Sequence, residues 1–535
     1  MKFNPHYNPY PSARAVHYAK NGMVATSQPL AAQAGLDIIK QGGNAVDAAI
    51  ATAACLTVTE PTSNGIGGDA FAIVWMRGEI HGLNSSGPAP ANISIDAVKA
   101  KGHEAMPKMG WLPVTVPGVP AAWAALSKRF GALTLAECLE PAIEYARNGF
   151  AVSPTVSKYW TIALKSYAKQ EGEEFYPFFD TFAPKGDAPK AGEIMKLPWH
   201  AYTLEEIGET LAESFYRGAL ANTIANFSAK SGGYLQKSDL EHFHPNWITP
   251  ISINYRGYDI WEMPPNGQGL VALMALNALK GYDFAHRDDI STYHRQFEAI
   301  KLAFTAGKEL ITDPEYMQTS IGSLLSDHYA SKLRDHIGDT ALEPATVAPN
   351  SGGTVYLATA DGHGNMVSYI QSNYMGFGSG IVVPGTGIAL QNRGADFSLD
   401  PGHANALAGG KRSYHTIIPG FVSQGSRPIG PFGVMGGYMQ PQGHVQVIMN
   451  SIDFGLNPQA ALDAPRWQWM EGKTFHVEHA FPRHIAQELA SKGHQMHVTL
   501  DSGSFGRGQI IWRDPETGVL AGGTESRCDG AIAAW

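Results

Sequence analysis

Thr354 is the residue whose setting invites chemistry. It follows Asn350-Ser351-Gly352-Gly353 and opens a run to Ala360 in which β-branched, aromatic and small residues roughly alternate. Asp361-Gly362-His363-Gly364-Asn365 then supplies turn chemistry, and Met366 to Ser372 reads as a return strand. A glycine pair can take up the strained backbone that lets a neighbouring hydroxyl approach the Gly353 carbonyl. Attack by the Thr354 hydroxyl would move the acyl group from nitrogen to oxygen, and hydrolysis of that ester would leave Thr354 as a new N-terminus. Its α-amine, with a reference pKa near ~8, can then serve as base for its own hydroxyl. Cleavage at Gly353–Thr354 would divide the chain into a large, helix-rich subunit, 1–353, and a small, strand-rich subunit, 354–535, that together form one core. The plainer alternative is an ordinary hairpin with a threonine at its edge.

The elements around this hairpin must hold it in place. Glu343 to Gly353, with Pro344, Pro349 and the two glycines, reads as an exposed connector, and residues 1–20 as a surface wrap. Pro29 to Gln41 has helical periodicity through Leu30, Ala34 and Ile38 and is stopped by Gly42-Gly43. Asn44 caps a second, alanine-rich helix to Val58 that can pack closely on a sheet. Asn64 to Asp69 is a glycine turn into a strand, Ala70 to Met76; no lysine follows its glycines, so it is not a phosphate loop. Much of 95–147 and 150–250 reads as helix, with Tyr159-Trp160 and Phe175 to Phe179 as core or cleft lining. Strands return at Ile251 to Met263, followed by a turn and the helices Gly269 to Leu279 and Ser291 to Ile311. His294 and Glu298 share a face of the latter; a metal there would need further ligands, and packing is the preferred reading. From Thr354 to Met435 the chain reads mostly as strands. Gly436-Gly437 then precedes a helix over Pro441 to Ser451, and Phe481 to Lys492 forms the last helix.

Composition excludes several classes. The chain has 535 residues, a formal net charge of −9 and no basic cluster with interleaved aromatics, which argues against a nucleic-acid partner. Its three cysteines, Cys55, Cys138 and Cys528, lack Cys-x-x-Cys spacing and read as reduced thiols, neither a disulfide framework nor a zinc site. No metal or cofactor is called for. No apolar run of membrane-spanning length occurs, and Met1 to His6 does not resemble a signal peptide, so the expected setting is cytoplasmic with no membrane partner.

Spread over nearly the whole chain is an ordered set of motifs: Gly42 to Ala49, Asn64 to Asp69, Pro264 to Gly269, His294 to Pro314, Gly376 to Val382, Ala395 to Ser398, Met435 to Gly437 and Asn450 to Leu456. In these the chain resembles the γ-glutamyltranspeptidase family of N-terminal nucleophile hydrolases. The resemblance implies an α+β fold, a four-layer αββα sandwich with additional helices. It also implies self-cleavage, an acyl-threonine intermediate on Thr354, and an oxyanion hole made by the Gly436 and Gly437 amides. Those amides would also lie near the positive end of the following helix. Ser372 stands where the family has a threonine that hydrogen-bonds the nucleophile, and Asp396 matches the acid that receives a substrate α-ammonium group.

The departures bear on substrate. Ser86 occupies the place of the family arginine that grips the α-carboxylate, His415-Thr416 replaces a pair of serines, and Tyr374 replaces an asparagine. The 396–411 segment is shorter than the usual lid loop. Nothing replaces a planar fork of donors conservatively, so these changes weigh against a γ-glutamyl donor such as glutathione. Arg393 and His415 are the candidates for holding an anionic group from another direction, against plainer readings as a surface arginine and a structural histidine. The favoured function is amide hydrolysis of the γ-glutamyltransferase-like type on a small-molecule amide, with acyl transfer to an amine as a further outcome. An acylase or amidohydrolase for a small carboxylate-bearing amide is the alternative, and a catalytically silent binding protein the second. The two cleaved chains would stay associated, and a homodimer of such pairs is compatible with the family.

Overall fold

A computed structural model describes residues 14–344 and 352–535. Residues 1–13 and 345–351, which include most of the expected connector and Asn350-Ser351, lie outside the described residues. Two seven-stranded antiparallel sheets form the centre. The sheet carrying Thr354 runs in the order Ala531–Ala534, Gly22–Thr26, Gly353–Asp361, Met366–Tyr374, Asp69–Met76, Glu79–Ser85, Asn246–Ile248. The other runs His17–Ala19, Leu520–Thr524, Arg507–Arg513, Arg427–Met435, Gly420–Gln424, Tyr258–Glu262, Ile251–Tyr255.

Strand alternation sets the layers. Phe71, Ile73, Trp75, Tyr356, Ala358 and Ile370 point inward and meet Phe421, Met435 and Ile511 of the second sheet. Residues of the opposite parity, such as Ala72, Val74, Leu357 and Val367, pack instead against the helices Ala45–Thr59, Val119–Phe130 and Leu135–Asn148. Beyond the second sheet, Ile260, Val422, Val434 and Ile510 pack against Gly269–Leu279, Ile290–Leu310 and Met439–Ile452. The result is the helix–sheet–sheet–helix sandwich expected from the resemblance.

Local signals explain the helices nearest the hairpin. Asn44 Oδ1 accepts the Val46 and Asp47 N–H groups while Asp47 Oδ2 accepts the Asn44 N–H, a reciprocal cap. Every residue of Gly269–Leu279 is buried, so that helix shows no polar face.

One expectation needs correction. Between Met375 and Pro419 the chain is not mostly strand: regular pairing is limited to Val382–Val383 with Ile388–Ala389. Side chains take the place of a ladder, with Asn392 accepting the Met375 N–H at 3.1 Å and donating to Lys108 O at 2.8 Å. His294 and Glu298 do share a face, and His494 joins them. His294 Nε2 donates to Gly338 O at 2.8 Å, so its Nδ1 accepts from His494 Nε2 at 2.9 Å. Glu298 takes the Lys301 ammonium at 2.7 Å and the Leu342 N–H at 3.2 Å. This buried network clamps the chain at 338–342, just ahead of the connector.

Candidate active site

The hairpin is irregular where it carries its threonine. Gly353 pairs with Tyr374 but Val355 pairs with Gln371, so Ser372 and Asn373 together oppose Thr354. A bulge of this kind re-aims side chains, and here it brings two hydroxyls onto one carbonyl. Tyr374, just beyond it, sits at φ 73°, a left-handed conformation unusual for a bulky residue.

Thr354 is buried, and its Oγ1 lies 2.7 Å from the Gly353 carbonyl oxygen and 3.1 Å from Ser372 Oγ. Ser372 Oγ accepts the Tyr374 N–H at 2.8 Å and donates to Gly353 O at 2.6 Å. With its proton on that carbonyl, the serine has a lone pair left for the threonine hydroxyl. The arrangement can draw a proton from the Thr354 hydroxyl while polarising the Gly353 carbonyl.

Gly436 and Gly437 follow the strand Arg427–Met435 and precede the helix Met439–Ile452. Their φ values are 136° and 59°, and Gly437 Cα would lie 3.4 Å from a Cβ on Gly352. Their carbonyls accept from the Met439 and Gln440 N–H groups, and Gln268 Nε2 also reaches Gly437 O at 2.9 Å. Their own N–H groups take no part in that turn's bonding.

At the Tyr374 end of the hairpin lies a charged cluster. Asp396 accepts from Tyr374 OH at 2.8 Å, Tyr438 OH at 3.0 Å and Arg393 Nη1 at 3.3 Å. Arg393, far from being a surface residue, is 1% exposed and lies over the Tyr374 ring. Its Nη1 also donates to Thr416 Oγ1 at 2.9 Å, while its Nε and Nη2 take no hydrogen bond among the described residues. Lys308, from the helix Ile290–Leu310, donates to Tyr438 OH and covers the Tyr438 and Tyr414 rings. Burial pulls its pKa down to about 8, against the pull of Asp396 and with the push of Arg393.

His415 is a correction. Its Nε2 donates to Asp69 at 2.9 Å and its Nδ1 accepts the Ile417 N–H at 3.3 Å, so neither nitrogen is free for a ligand. Burial, then the Arg393 charge, holds its pKa well below the ordinary value, so the ring is neutral. Asp69, pushed up to about 7 by burial, also accepts from Gln391 Nε2 and the Gly87 N–H. Ser86 is buried as well; its hydroxyl donates to Asn84 Oδ1 at 2.8 Å and accepts from Asn266 Nδ2 at 3.2 Å. Its carbonyl receives Arg412 Nε at 2.9 Å. Arg412 and Lys308 escaped the sequence reading because no local pattern ties residues so distant in the chain to Ser86 or Asp396.

The gamma-glutamyltranspeptidase family model matches residues 31–535. The chain is 38% identical to the glutathione hydrolase-like YwrD proenzyme of Bacillus subtilis, over 95% of this chain and 97% of that protein. It is 33% identical to the oxamate amidohydrolase proenzyme of Klebsiella pneumoniae, over 96% and 98%. The crystal structure of a cephalosporin acylase from Bacillus halodurans superposes with a TM-score of 0.98 at 63% identity, over 100% of this chain and 99% of that one. Ordered motifs, four-layer fold and full-length matches agree: the chain belongs to the gamma-glutamyltranspeptidase family.

Proposed function

We propose that the protein is a self-processing amide hydrolase whose Thr354 first cleaves the Gly353–Thr354 bond and then, as the N-terminus of the 354–535 chain, attacks amide substrates. In the first step Ser372 polarises the Gly353 carbonyl as Thr354 Oγ1 approaches it. In later turnovers the Thr354 α-amine takes the hydroxyl proton, the Gly436 and Gly437 amides receive the developing oxyanion, and water releases the acyl group.

The observation that carries the substrate assignment is the state of Arg393 and Asp396. Asp396 already receives three donors, and Lys308 adds a second nearby cation, so an incoming α-ammonium group finds its counter-ion occupied. Arg393 is a buried guanidinium with two nitrogens that take no hydrogen bond among the described residues, an arrangement that costs about 1–3 kcal/mol per group unless a ligand completes it. An acyl group ending in a carboxylate and lacking the α-amine fits both facts. This is the acylase-like reading, and transfer of the acyl group to an amine is compatible with it.

A second reading, γ-glutamyl hydrolysis, has one observation in its favour: Arg412 brings a guanidinium back to the Ser86 corner. Comparing kcat/KM on glutaryl- and γ-glutamyl-4-nitroanilide for wild type, Arg393→Met and Arg412→Met separates the two. Glutaryl preference that collapses in Arg393→Met is the expected result. Efficient γ-glutamyl turnover that is indifferent to Arg393→Met and lost in Arg412→Met would establish the second reading instead.

A further inference from the structure

The acyl-side cluster accounts for one half of an amide. A separate cleft of about 470 Å³ shares Gly353 and Gly436 with the reacting centre but includes none of Arg393, Asp396, Lys308, Ser86 or Arg412. Its lining includes the apolar Met109, Ile162 and Met435 and the polar Lys108, Tyr159 and Arg507. In a chain of net charge −9, the described residues of this lining include two cations and no carboxylate.

Arg507 is built into this wall. It pairs with Met435 across the strands, directly after Gly506, whose Cα would lie 3.2 Å from a Cβ on Gly436. Its side chain is 7% exposed, and its guanidinium lies 4.5 Å from the centre of the Tyr159 ring. Among the described residues its one ion pair is long, Nη1 to Glu60 Oε1 at 3.4 Å, and its Nε takes no hydrogen bond. Glu60 is itself engaged by the Ser27 hydroxyl, and burial pushes its pKa up, with Arg507 opposing. Tyr159 and Glu60 both interact with the guanidinium, which lines a cleft with room for a small molecule.

We infer that this cleft receives the amine half of the substrate and that this amine carries a carboxylate, which Arg507 and Lys108 recognise. The inference rests on Thr354 as nucleophile. During acylation the Thr354 Oγ–acyl bond forms and the amide C–N bond breaks. The proton taken from Oγ by the Thr354 α-amine passes to the leaving nitrogen, and the amine departs through the cleft with its carboxylate unchanged. Acyl-side and amine-side recognition are then carried by different arginines, Arg393 outside the cleft and Arg507 in its lining.

The test uses matured enzyme and two amines, 4-aminobenzoate and aniline, that differ in the carboxylate. Calorimetric titration of wild type is expected to show at least tenfold tighter binding of 4-aminobenzoate. A double variant, Arg507→Gln with Glu60→Gln, removes both charges so that neither is left buried alone, and is expected to abolish the preference. Lys108→Ala, at an exposed position of the lining, is expected to reduce it severalfold, and serves should the double variant fail to mature. Equal binding of the two amines by wild type, or an undiminished preference in the variants, would overturn the inference. Neither probe contains an acyl group, so failure of the Arg393 assignment shows separately, as loss of glutaryl preference with either amine as leaving group.

Discussion

Replacing Ser372 with alanine is the sharpest test of the self-cleavage geometry. The hydroxyl does three things in the precursor: it donates to Gly353 O at 2.6 Å, accepts from Thr354 Oγ1 at 3.1 Å and accepts the Tyr374 N–H at 2.8 Å. Loss of a donor to a carbonyl on which negative charge develops typically costs about 2.7–4 kcal/mol in the barrier, roughly 10²–10³ in rate. Loss of the acceptor for a buried N–H costs about 1–3 kcal/mol of stability. Ser372→Ala is therefore expected to fold, with a lowered Tm, and to accumulate uncleaved chain. Ser372→Thr keeps the hydroxyl and is expected to cleave within about tenfold of wild type, since only the lost donor carries the larger penalty. The assay follows disappearance of full-length chain on denaturing gels after synthesis, with Tm measured in parallel. Cleavage of Ser372→Ala at the wild-type rate would refute the role given to this hydroxyl. Equal failure of the alanine and threonine variants, both folded, would show that packing rather than the proton matters.

Thr354→Ala is expected to remain a single chain without activity; appearance of the 1–353 and 354–535 fragments would mean that another agent cuts the bond. Gly437→Val places a β-branched residue at φ 59° and is expected to lower turnover by at least about 10² by obstructing the proposed oxyanion hole and misaligning its amide, measured on soluble, cleaved enzyme. Lys308 gives a pH signature. Its pKa is depressed to about 8 by burial, so its charge is present below that pH and lost as pH rises through it. The ratio of kcat/KM for a glutaryl amide to that for the uncharged valeryl amide, which cancels titration of the Thr354 amine, is expected to fall above about pH 8. In Lys308→Met this ratio should be flat and low.

The hairpin was legible because its signals are local: a glycine pair, alternation and a turn, all within the span Gly352 to Tyr374. The helix Gly269–Leu279 appears with the expected bounds for the same reason. The segment from Met375 to Pro419 was not, because Asn392, Ser379 and Tyr167 satisfy its backbone through side chains, and such bonds leave no period in a sequence. The sequence could put Arg393 beside Asp396, three residues away. It could not reveal that Tyr374 and Tyr438 already fill the Asp396 carboxylate, nor that Asp69 consumes His415. Partners such as Lys308, Arg412 and Arg507 depend on contacts across the fold that no spacing rule reaches.

The order of strands in the Thr354 sheet has a consequence for how the protein is made. Gly22–Thr26 lies between Ala531–Ala534 and Gly353–Asp361, and Met366–Tyr374 lies against Asp69–Met76, so segments from both sides of the proposed cleavage site at Gly353–Thr354 are threaded through one sheet. Neither product could assemble that sheet alone, and each would expose unpaired strand edges prone to sticking. Synthesis as one polypeptide delivers the halves in strict one-to-one ratio and at high mutual concentration, with no search for a partner. Severing the bond after folding then leaves two chains held by shared sheets. Expressing the halves from separate genes is the manipulation this architecture is least suited to survive.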